Sequence, residues 1–438
     1  MPEGNRRRLH PFTPLLRGWK IFAAVVVVLG RQVYSGVTLG WDLLAIGIAV
    51  PIAVAYGFLS WRFTYYEVSA EELHLETGVL FRRSRHLRLD RLQAVDVVRP
   101  LVGRALGLAE LRLEVAGGSS AEAPLAYLGE AQASALRAEL LARAAGIAHD
   151  APEAPETVLF TVPLRHLIQA AIRSSGLIVN SAVFVVLLVV GFGFGQWAAF
   201  GVALPTLLVT IPVMARPVIS HFEFTVADSP DGLRLRHGLL ETRSQTVPPG
   251  RVQAVRIIEP WLWRPKGWCK VEVNVAGYAG EGQDKVSVLL PVAPKAQALA
   301  LLGRVLPDVD LGAPPVNPAP TRARWVDPVA WRFLAAGVDD RYFVAQRGRF
   351  QRETDIVPHE KVQSVRLSQG WLQRRLALAT LHVDTTPGPV QASAAHRDAA
   401  AARALLDQET GLARAARARA APEQWMRHSS RDREGSID

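Results

Sequence analysis

Cysteine is almost absent from this chain of 438 residues, which contains one, Cys269. A single cysteine cannot form an intramolecular disulfide, and it cannot supply a zinc site built from several thiolates. The neighbouring Lys270 could lower the pKa of the thiol, but a lone cysteine at the start of a predicted strand is more often a small packed residue. The composition therefore suits a reducing, cytoplasmic face.

The sequence motifs of the common enzyme classes are also missing. The chain has no G-x-x-x-x-G-K-[ST] phosphate loop, no H-E-x-x-H zinc motif and no G-x-S-x-G nucleophile turn. A glycine-rich run at residues 191–195 lies inside an apolar tract, where small residues let helices pack closely. We therefore expect a protein that is not an enzyme and that has no catalytic residues, cofactor or metal.

Charged residues are absent from two long stretches. Residues 43–61 contain no charge over 19 positions, and residues 174–215 contain none over 42. Because about 20 apolar residues cross a bilayer as a helix, the first stretch predicts one span and the second predicts two, joined near residues 195–197. Residues 14–33 predict a further span, although Arg17, Lys20 and Arg31 interrupt it. The sequence therefore predicts four transmembrane helices, arranged in two hairpins.

Basic residues outnumber acidic ones, with 50 Lys and Arg against 40 Asp and Glu and a net charge of +10. This excess fits an anionic partner, and the apolar segments favour the inner leaflet of a membrane over nucleic acid. Arg165, Arg173 and Arg216 flank the longest apolar tract, so the positive-inside rule predicts that both its ends are cytoplasmic. We expect a multi-pass cell membrane protein with its N- and C-termini in the cytoplasm, anchored rather than cleaved at its basic N-terminus.

One stretch of the chain occurs three times, and such internal repeats indicate that the fold is built from repeated units. Each copy has a registering glycine, a glutamine 15 residues later and an arginine 11 residues after the glutamine. The glutamine lies in a short predicted strand, and it is interpreted as a half-buried residue that bonds the backbone of a turn. The arginine is interpreted as a partner for loop carbonyls, and functional roles for both stay open. The signature residues are Gly78, Gln93 and Arg104; Gly238, Gln253 and Arg264; and Gly348, Gln363 and Arg374.

Each copy also predicts the same secondary structure. The segments LRLEV, VEVNV and LHVDT at residues 111–115, 271–275 and 381–385 alternate apolar and polar residues, as an antiparallel strand with one buried face requires. Ala/Leu-rich runs at residues 131–145, 295–306 and 398–408 have helical periodicity. Each repeat is thus a small sheet closed by one helix.

The repeated glycine, the RVQAVR-type strand, the arginine, the closing helix and the attachment to apolar hairpins resemble the bacterial pleckstrin-homology (PH) domain family of membrane proteins. The resemblance implies three β-rich PH-like domains, each a small sandwich or barrel with a C-terminal helix, and it implies no established activity. The third copy has Gly370 where the others have Pro100 and Pro260. It also has Ala377 in place of Gly107 and Gly267, so the resemblance does not fix the geometry of that turn.

The predicted organisation alternates membrane segments with domains. We expect the third repeat to fold as an independent soluble unit, because it follows a Pro-rich linker rather than a hairpin. The predicted boundaries are a basic N-terminus and first hairpin at 1–61, the first PH-like domain at 62–146, a linker at 147–172, the second hairpin at 173–216, the second domain at 220–306, the linker at 307–324, the third domain at 325–411 and a basic tail at 412–438.

The function that these features favour is a non-enzymatic scaffold or sensor. Its cytoplasmic PH-like domains would bind anionic lipid headgroups or protein partners, including other copies of the chain, at the inner leaflet. The alternative is a small-molecule or ion transporter, or its accessory subunit, formed by the four helices. The intramembrane acidic, Lys or His residues typical of ion routes are absent from residues 43–61 and 174–215. The candidate lipid- or partner-binding residues are Arg82, Arg83, Arg85, Arg234, Arg236, Arg243, Arg347, Arg349 and Arg352.

Overall fold

The computed structural model divides the chain into two compact units, residues 1–154 with 241–244 (unit 1) and residues 155–240 with 245–438 (unit 2). Both units consist of antiparallel sheets closed by helices. The structure describes residues 7–8, 10–11, 13, 51, 55, 58–59, 61–69, 72–77, 83–88, 92–115, 122–144, 156–195, 198–229, 232–247, 249–276, 288–306 and 316–419. The predicted span at 14–33, most of that at 43–61 and the tail from residue 420 lie outside the described residues.

In unit 1, a four-stranded sheet precedes a three-stranded sheet and a helix. Leu73 and Leu75 on one face of the first sheet share a core with Leu111 and Leu113 of the second, as their period-2 spacing predicts. The closing helix is one residue earlier than predicted. The elements are β1 (Arg7–Arg8), β2 (Tyr65–Val68), β3 (Glu72–Thr77), β4 (Arg83–Arg88), β5 (Leu92–Pro100), α1 (Leu101–Ala105), β6 (Leu108–Val115), β7 (Glu122–Gly129) and α2 (Glu130–Ala144).

The α2 helix completes this core. Ala133, Leu136 and Leu140, which recur at three- and four-residue intervals, are buried against the sheets. The outer edge of β5 is also paired within unit 1, because residues 241–244 run antiparallel to it from Pro100 back to Val97.

Unit 2 begins with structure where the sequence predicts a linker at 147–172. A strand pairs with the first strand of the second repeat, and an amphipathic helix follows it. The apolar tract then forms two helices, and within the described residues one of them, Ser175–Gly193, is long and apolar enough to cross a membrane, so the four predicted spans are not confirmed. The elements are β8 (Thr157–Thr161), α3 (Leu164–Ile172), α4 (Ser175–Gly193), α5 (Ala198–Ser220), β9 (Thr225–Ser229), β10 (Gly232–His237) and β11 (Glu241–Val247), whose residues 241–244 belong to unit 1.

The second and third repeats share one seven-stranded sheet, with the order β14-β13-β12-β18-β17-β16-β15. This arrangement differs from the independent third domain that the sequence predicts. The Pro-rich segment at 307–324 contributes a short strand and the buried Ala323. The elements are β12 (Val252–Pro260), β13 (Trp268–Val275), β14 (Val288–Pro294), α6 (Lys295–Val305), β15 (Asn317–Pro318), β16 (Ala335–Val338), β17 (Tyr342–Arg347) and β18 (Gln351–Pro358).

The last part of unit 2 is a three-stranded sheet covered by a long helix. Leu381 and Val383 of this sheet share a core with Ala254 of the second repeat, which again joins the two repeats. The helix extends well past its predicted end at residue 408. The elements are β19 (Ser364–Ser368), α7 (Trp371–Arg375), β20 (Leu378–Asp384), β21 (Ala392–Asp398) and α8 (Ala399–Arg419).

The three copies keep the same turn before the alternating strand. Gly107 and Gly267 have φ of 66° and 62°, in the left-handed region that glycine favours, and Ala377 has φ of 50° at the equivalent position. Gly370 occupies the place of the earlier prolines, and its N–H donates a hydrogen bond to the Gln373 side-chain oxygen at 2.8 Å, which caps α7. The third copy therefore retains the turn without the glycine.

Candidate membrane- and partner-binding surfaces

Helix α3 has two apolar faces with different surroundings. Leu167, Ala170 and Ala171 are buried, and the helix packs against β14 and α5. The adjoining side of the helix presents an exposed apolar row at helical spacing. Its members are Leu164, Ile168 and Ile172, which are 43%, 42% and 51% exposed. The periodicity of LRHLIQAAI could have revealed this helix from the sequence.

The connection from α3 to the apolar α4 is only two residues long and is bordered by basic groups. Ser174 caps α4 by accepting a hydrogen bond from the Leu177 N–H at 3.3 Å. Arg173 donates to the Gln169 carbonyl at 3.3 Å. Lys266 donates to the Gln169 side chain at 3.0 Å, so a lysine from the second repeat lies beside the amphipathic helix.

The end of α5 holds the turn that contains the second registering glycine. The N–H of Gly238 donates to the Phe222 carbonyl at 2.8 Å, and the N–H of Leu239 donates to the Ile219 carbonyl at 2.9 Å. Burial lowers the pKa of His221 to about 4, against the opposing effect of its hydrogen bond with the Pro217 carbonyl. This histidine is therefore neutral at pH 7 and adds no positive charge at the helix end.

A buried ion pair joins the second and third repeats. Arg256 donates from Nε to Asp355 Oδ1 at 2.6 Å and from Nη2 to Oδ2 at 3.0 Å. It also donates to the Pro389 carbonyl at 2.8 Å. Burial alone would raise the pKa of Glu353 beside this pair, but the hydrogen bond from Arg347 and the charge of Arg256 hold it below its usual value. In this cluster the two arginines, Arg256 and Arg347, balance the two carboxylates, Glu353 and Asp355.

Asn274 forms a second buried contact between these repeats, through hydrogen bonds to the backbone of Val390. This side chain is 1% exposed, donates to the Val390 carbonyl at 2.8 Å and accepts from the Val390 N–H at 2.9 Å. Satisfying a buried backbone amide and carbonyl in this way makes the register specific, because a shifted partner would leave both unpaired.

Several of the candidate basic residues are engaged with carboxylates. Arg234 and Arg243 are buried, and their guanidinium groups lie 3.4 Å from Glu156 and 2.8 Å from Glu241. Arg347 is half-buried and contacts Glu353 at 2.7 Å. These three charges are neutralised locally, which weakens their attraction to a lipid surface.

The remaining candidates are placed differently. Arg236 is exposed, and a guanidinium nitrogen lies 4.0 Å from Glu156. Arg352 is half-buried, while Arg85 and Arg349 are exposed. The candidates outside the description are Arg82 entirely and Arg83 in its side chain.

The signature glutamines do not share one environment. Gln253 is 9% exposed and donates to the Arg251 carbonyl at 3.3 Å, in the manner that the sequence predicts. Gln363, by contrast, is exposed. Gly78 and the side chain of Gln93 lie outside the described residues.

The backbone requires glycine at the two registering positions that the structure describes. Gly238 and Gly348 have φ of 111° and 88°, and a Cβ on Gly348 would collide with the carbonyl oxygen of Gln351.

The signature arginines reach toward the repeat that follows them. Arg104 donates to the Thr242 hydroxyl at 3.3 Å, and Arg264 donates to the Arg349 carbonyl at 2.9 Å. Arg264 also donates to the Glu259 carbonyl at 3.2 Å, which is the loop contact that the sequence predicts. Arg374, in the last repeat, is exposed.

Exposed turns of unit 2 combine an aromatic ring with an arginine. The guanidinium carbon lies 5.2 to 5.9 Å from the ring centroid in these pairs, within the range of cation–π attraction. Such amphipathic rings are typical of protein interfaces and of the headgroup region of a bilayer. The pairs are Arg324 with Trp325, Arg349 with Phe350 and Arg375 with Trp371.

Only one group of side chains within the described residues has the geometry of a metal site. Ligand atoms of Glu72, His74 and His86 lie within 4.8 Å of one another on adjacent strands β3 and β4. Glu72 lies 3.0 Å from His74 and 3.4 Å from His86, so these contacts are also satisfied as hydrogen bonds. Burial raises the pKa of the Cys269 thiol to about 12, which makes it an inert core residue rather than a nucleophile.

Comparison with known proteins agrees with the repeated architecture. The Bacterial PH domain family matches residues 21–144, 169–308 and 319–410. The chain belongs to the Bacterial PH domain family. Its three family regions correspond to the three registered copies, and their sheets and closing helices confirm the PH-like units that the sequence predicts.

One curated relative of this bacterial PH chain is the UPF0699 transmembrane protein YdbT of Bacillus subtilis (strain 168). The two sequences are 23% identical over 304 residues. The match covers 62% of this chain and 62% of the relative, so the chain spans less than two thirds of the relative's length.

Proposed function

We propose that this chain is a membrane-anchored scaffold without catalytic activity, whose bacterial PH units are held against an anionic bilayer surface and present binding edges to protein partners. The observation that carries the proposal is the α3–α4 connection. An amphipathic helix with an outward apolar row runs within two residues into a helix that is long enough to cross a bilayer. The name of the Bacillus relative, a transmembrane protein, supports the same placement.

The distribution of charge supports an anionic surface. Arg165 in α3 and Arg216 in the last turns of α5 are exposed, and Lys266 donates a hydrogen bond to α3. Each basic residue close to an anionic leaflet contributes about 1 kcal/mol of attraction. The arginines predicted from the repeats contribute less to this surface, because Arg234 and Arg243 are paired with carboxylates.

The proposal is tested by measuring where α3 lies. Ile168→Cys, labelled with an environment-sensitive fluorophore, is compared with Ser368→Cys in the full chain in nanodiscs of phosphatidylcholine, with or without phosphatidylglycerol. Cys269 needs no replacement because it is buried. We expect spin-labelled lipid to quench the probe at position 168 but not the control at 368.

The contribution of charge is read from a second variant. Arg165→Gln with Lys266→Gln should reduce the quenching at position 168 mainly in anionic nanodiscs and at low salt, where screening is weak. A probe at position 168 that is as accessible to water as the probe at 368 would refute the membrane-surface placement.

A further inference from the structure

The two junctions between successive repeats use one register. Residue 241 pairs with Pro100, and residue 351 pairs with Pro260. Counted from the registering glycine, position +3 of the later repeat faces position +22 of the earlier repeat in both cases. The following pairs, 242 with 99 and 352 with 259, keep the same step. The outer edge of β5 in the first repeat, and of β12 in the second, therefore binds the third strand of the next repeat. We call this edge the receptor edge of a repeat.

The receptor edge of the third repeat is the outer edge of β19. In the part of the chain that the structure describes, β19 pairs with β20 on one side and has no strand on the other. Alternate residues of β19 are exposed, whereas Val252–Ile258 of the paired β12 are all buried. An unpaired strand edge presents unused N–H and C=O groups to a further strand.

The side chains around β19 match those of the occupied junction. At that junction, the Trp261 N–H donates to the Phe350 carbonyl at 2.7 Å, and their rings lie 6.5 Å apart. Trp371, at the equivalent position, is 71% exposed. Arg374 is likewise exposed, while its counterpart Arg264 donates to the incoming turn at 2.9 Å.

The charge at the centre of the edge specifies the occupant. Arg256 faces Asp355 in the occupied junction, and Arg366 is its equivalent in β19. Arg366 now donates to Asp384 at 3.0 Å and is exposed. A second copy of this chain would offer β4, where Arg85 would face Arg366, and like charges directly opposite each other are destabilising.

We propose that the outer edge of β19, with Trp371 and Arg374, binds the third strand of a bacterial PH unit on a different polypeptide that carries a carboxylate opposite Arg366. The bound strand extends the sheet in the register of the two internal junctions. Its tip contacts Trp371 and Arg374 as Phe350 and Arg349 contact Trp261 and Arg264. This inference rests on the scaffold role but not on lipid binding, and its test is done in detergent without anionic lipid.

The test uses as probe a synthetic hairpin of residues 342–358, closed with D-Pro-Gly, because this segment already fits β12. Register places probe position 353 opposite Ser368. In the full chain carrying Ser368→Cys, a probe with Glu353→Cys should form a disulfide under a thiol redox buffer. Probes with cysteine at position 352 or 354 should not, since neighbouring side chains point to the other face.

A charge-reversed probe supplies the matched control. With Asp355→Arg in the hairpin, the affinity for the full chain should fall about two- to fivefold, and Arg366→Gln in the chain should remove that difference. Equal crosslinking at positions 352, 353 and 354, or none above a scrambled hairpin, would overturn the proposal. Head-to-tail oligomers of the chain alone, crosslinked between β4 and β19, would overturn the assignment to a different polypeptide.

Discussion

Arg256 and Asp355 lie 99 residues apart in the sequence and form a two-bond ion pair in the structure. Their side chains are 9% and 1% exposed, so water does not solvate either charge. Taking one partner away leaves an uncompensated buried charge, which is far more costly than removing both. At the scale of single residues, this pair is the most sensitive point of the junction between the second and third repeats.

We expect Asp355→Ala to lower the free energy of unfolding by about 3–5 kcal/mol. The double variant Arg256→Met with Asp355→Leu should recover most of that loss, because the pair is replaced by apolar side chains of similar size. Denaturant unfolding of the full chain in detergent measures both. If the double variant is as unstable as the single one, the loss of stability comes from losing the ion pair, and not from leaving Arg256 buried without a partner.

His359 and Glu409 form a second buried pair, 2.7 Å apart and 1% and 0% exposed. Burial alone would lower the pKa of His359, but the hydrogen bonds to Glu409 and to the Asp339 carbonyl raise it above its ordinary value of 6.5. The pair thus stabilises the fold fully below the pKa of the unfolded state, and this stabilisation is lost as the pH rises through the raised, folded-state pKa.

We therefore expect the Tm to decrease as the pH is raised from below 6.5 through that raised pKa. In Glu409→Gln the decrease should be smaller, since the carboxylate that favours the charged imidazole is gone. Differential scanning calorimetry of the two proteins over the same pH series measures the slope. A wild-type Tm that rises across this window would contradict the protonated pair.

At the scale of secondary-structure elements, α4 and α5 are joined by a polar contact inside an apolar tract. Asn180 donates to the Thr206 carbonyl at 3.4 Å and to the Thr210 hydroxyl. The Thr210 hydroxyl in turn donates to the Thr206 carbonyl at 2.8 Å, as helical threonines do. Such contacts between helices in a bilayer contribute about 0.6 kcal/mol on average, and up to about 1.7 kcal/mol.

Asn180→Leu should weaken the pairing of α4 and α5 by about 0.6–1.7 kcal/mol, measured by steric trapping of the full chain in bicelles. Val179→Leu is the matched control, because Val179 is 63% exposed on the same helix turn and has no polar contact to lose. An equal effect of both substitutions would show that packing, rather than the asparagine, governs the pairing.

At the scale of the whole molecule, the repeats are units of sequence that do not coincide with separable units of structure. The third repeat contributes β16 to β18 to a sheet that begins with strands of the second repeat, and the linker before it adds β15. The β18 strand would have an open edge without β12, and Asp355 would have no Arg256. Open edges promote association with other chains.

A fragment of residues 316–419 should therefore associate and unfold without a cooperative transition, whereas residues 156–419 in detergent should unfold cooperatively. Sedimentation velocity and thermal unfolding monitored by circular dichroism compare the two. A monomeric fragment 316–419 with a sharp transition would restore the independent third domain that the Pro-rich linker predicts.

The sequence determined the elements of each repeat, because local patterns encode them. The period-2 segments are β6, β13 and β20, the Ala/Leu runs are α2, α6 and α8, and the charge-free tract forms α4 and α5. The three copies followed from the spacing of the signature residues, and the resemblance of the repeated motif, the closing helix and the apolar hairpins indicated the family. The sequence did not predict β8 or α3, because the Pro/Glu-rich segment beside them indicates a linker over residues 147–172.

Only the tertiary structure decided how the repeats are joined and which charges are free. Nothing local in the sequence brings Arg256 to Asp355 or Asn274 to Val390, since pairing between strands about 100 residues apart depends on the whole fold. Pairing of β17 with β18 likewise places Glu353 2.7 Å from Arg347, which the sequence presents as one more basic residue. The charge and periodicity of a segment are fixed by its own residues, whereas its burial and pairing depend on which other segments the fold places beside it.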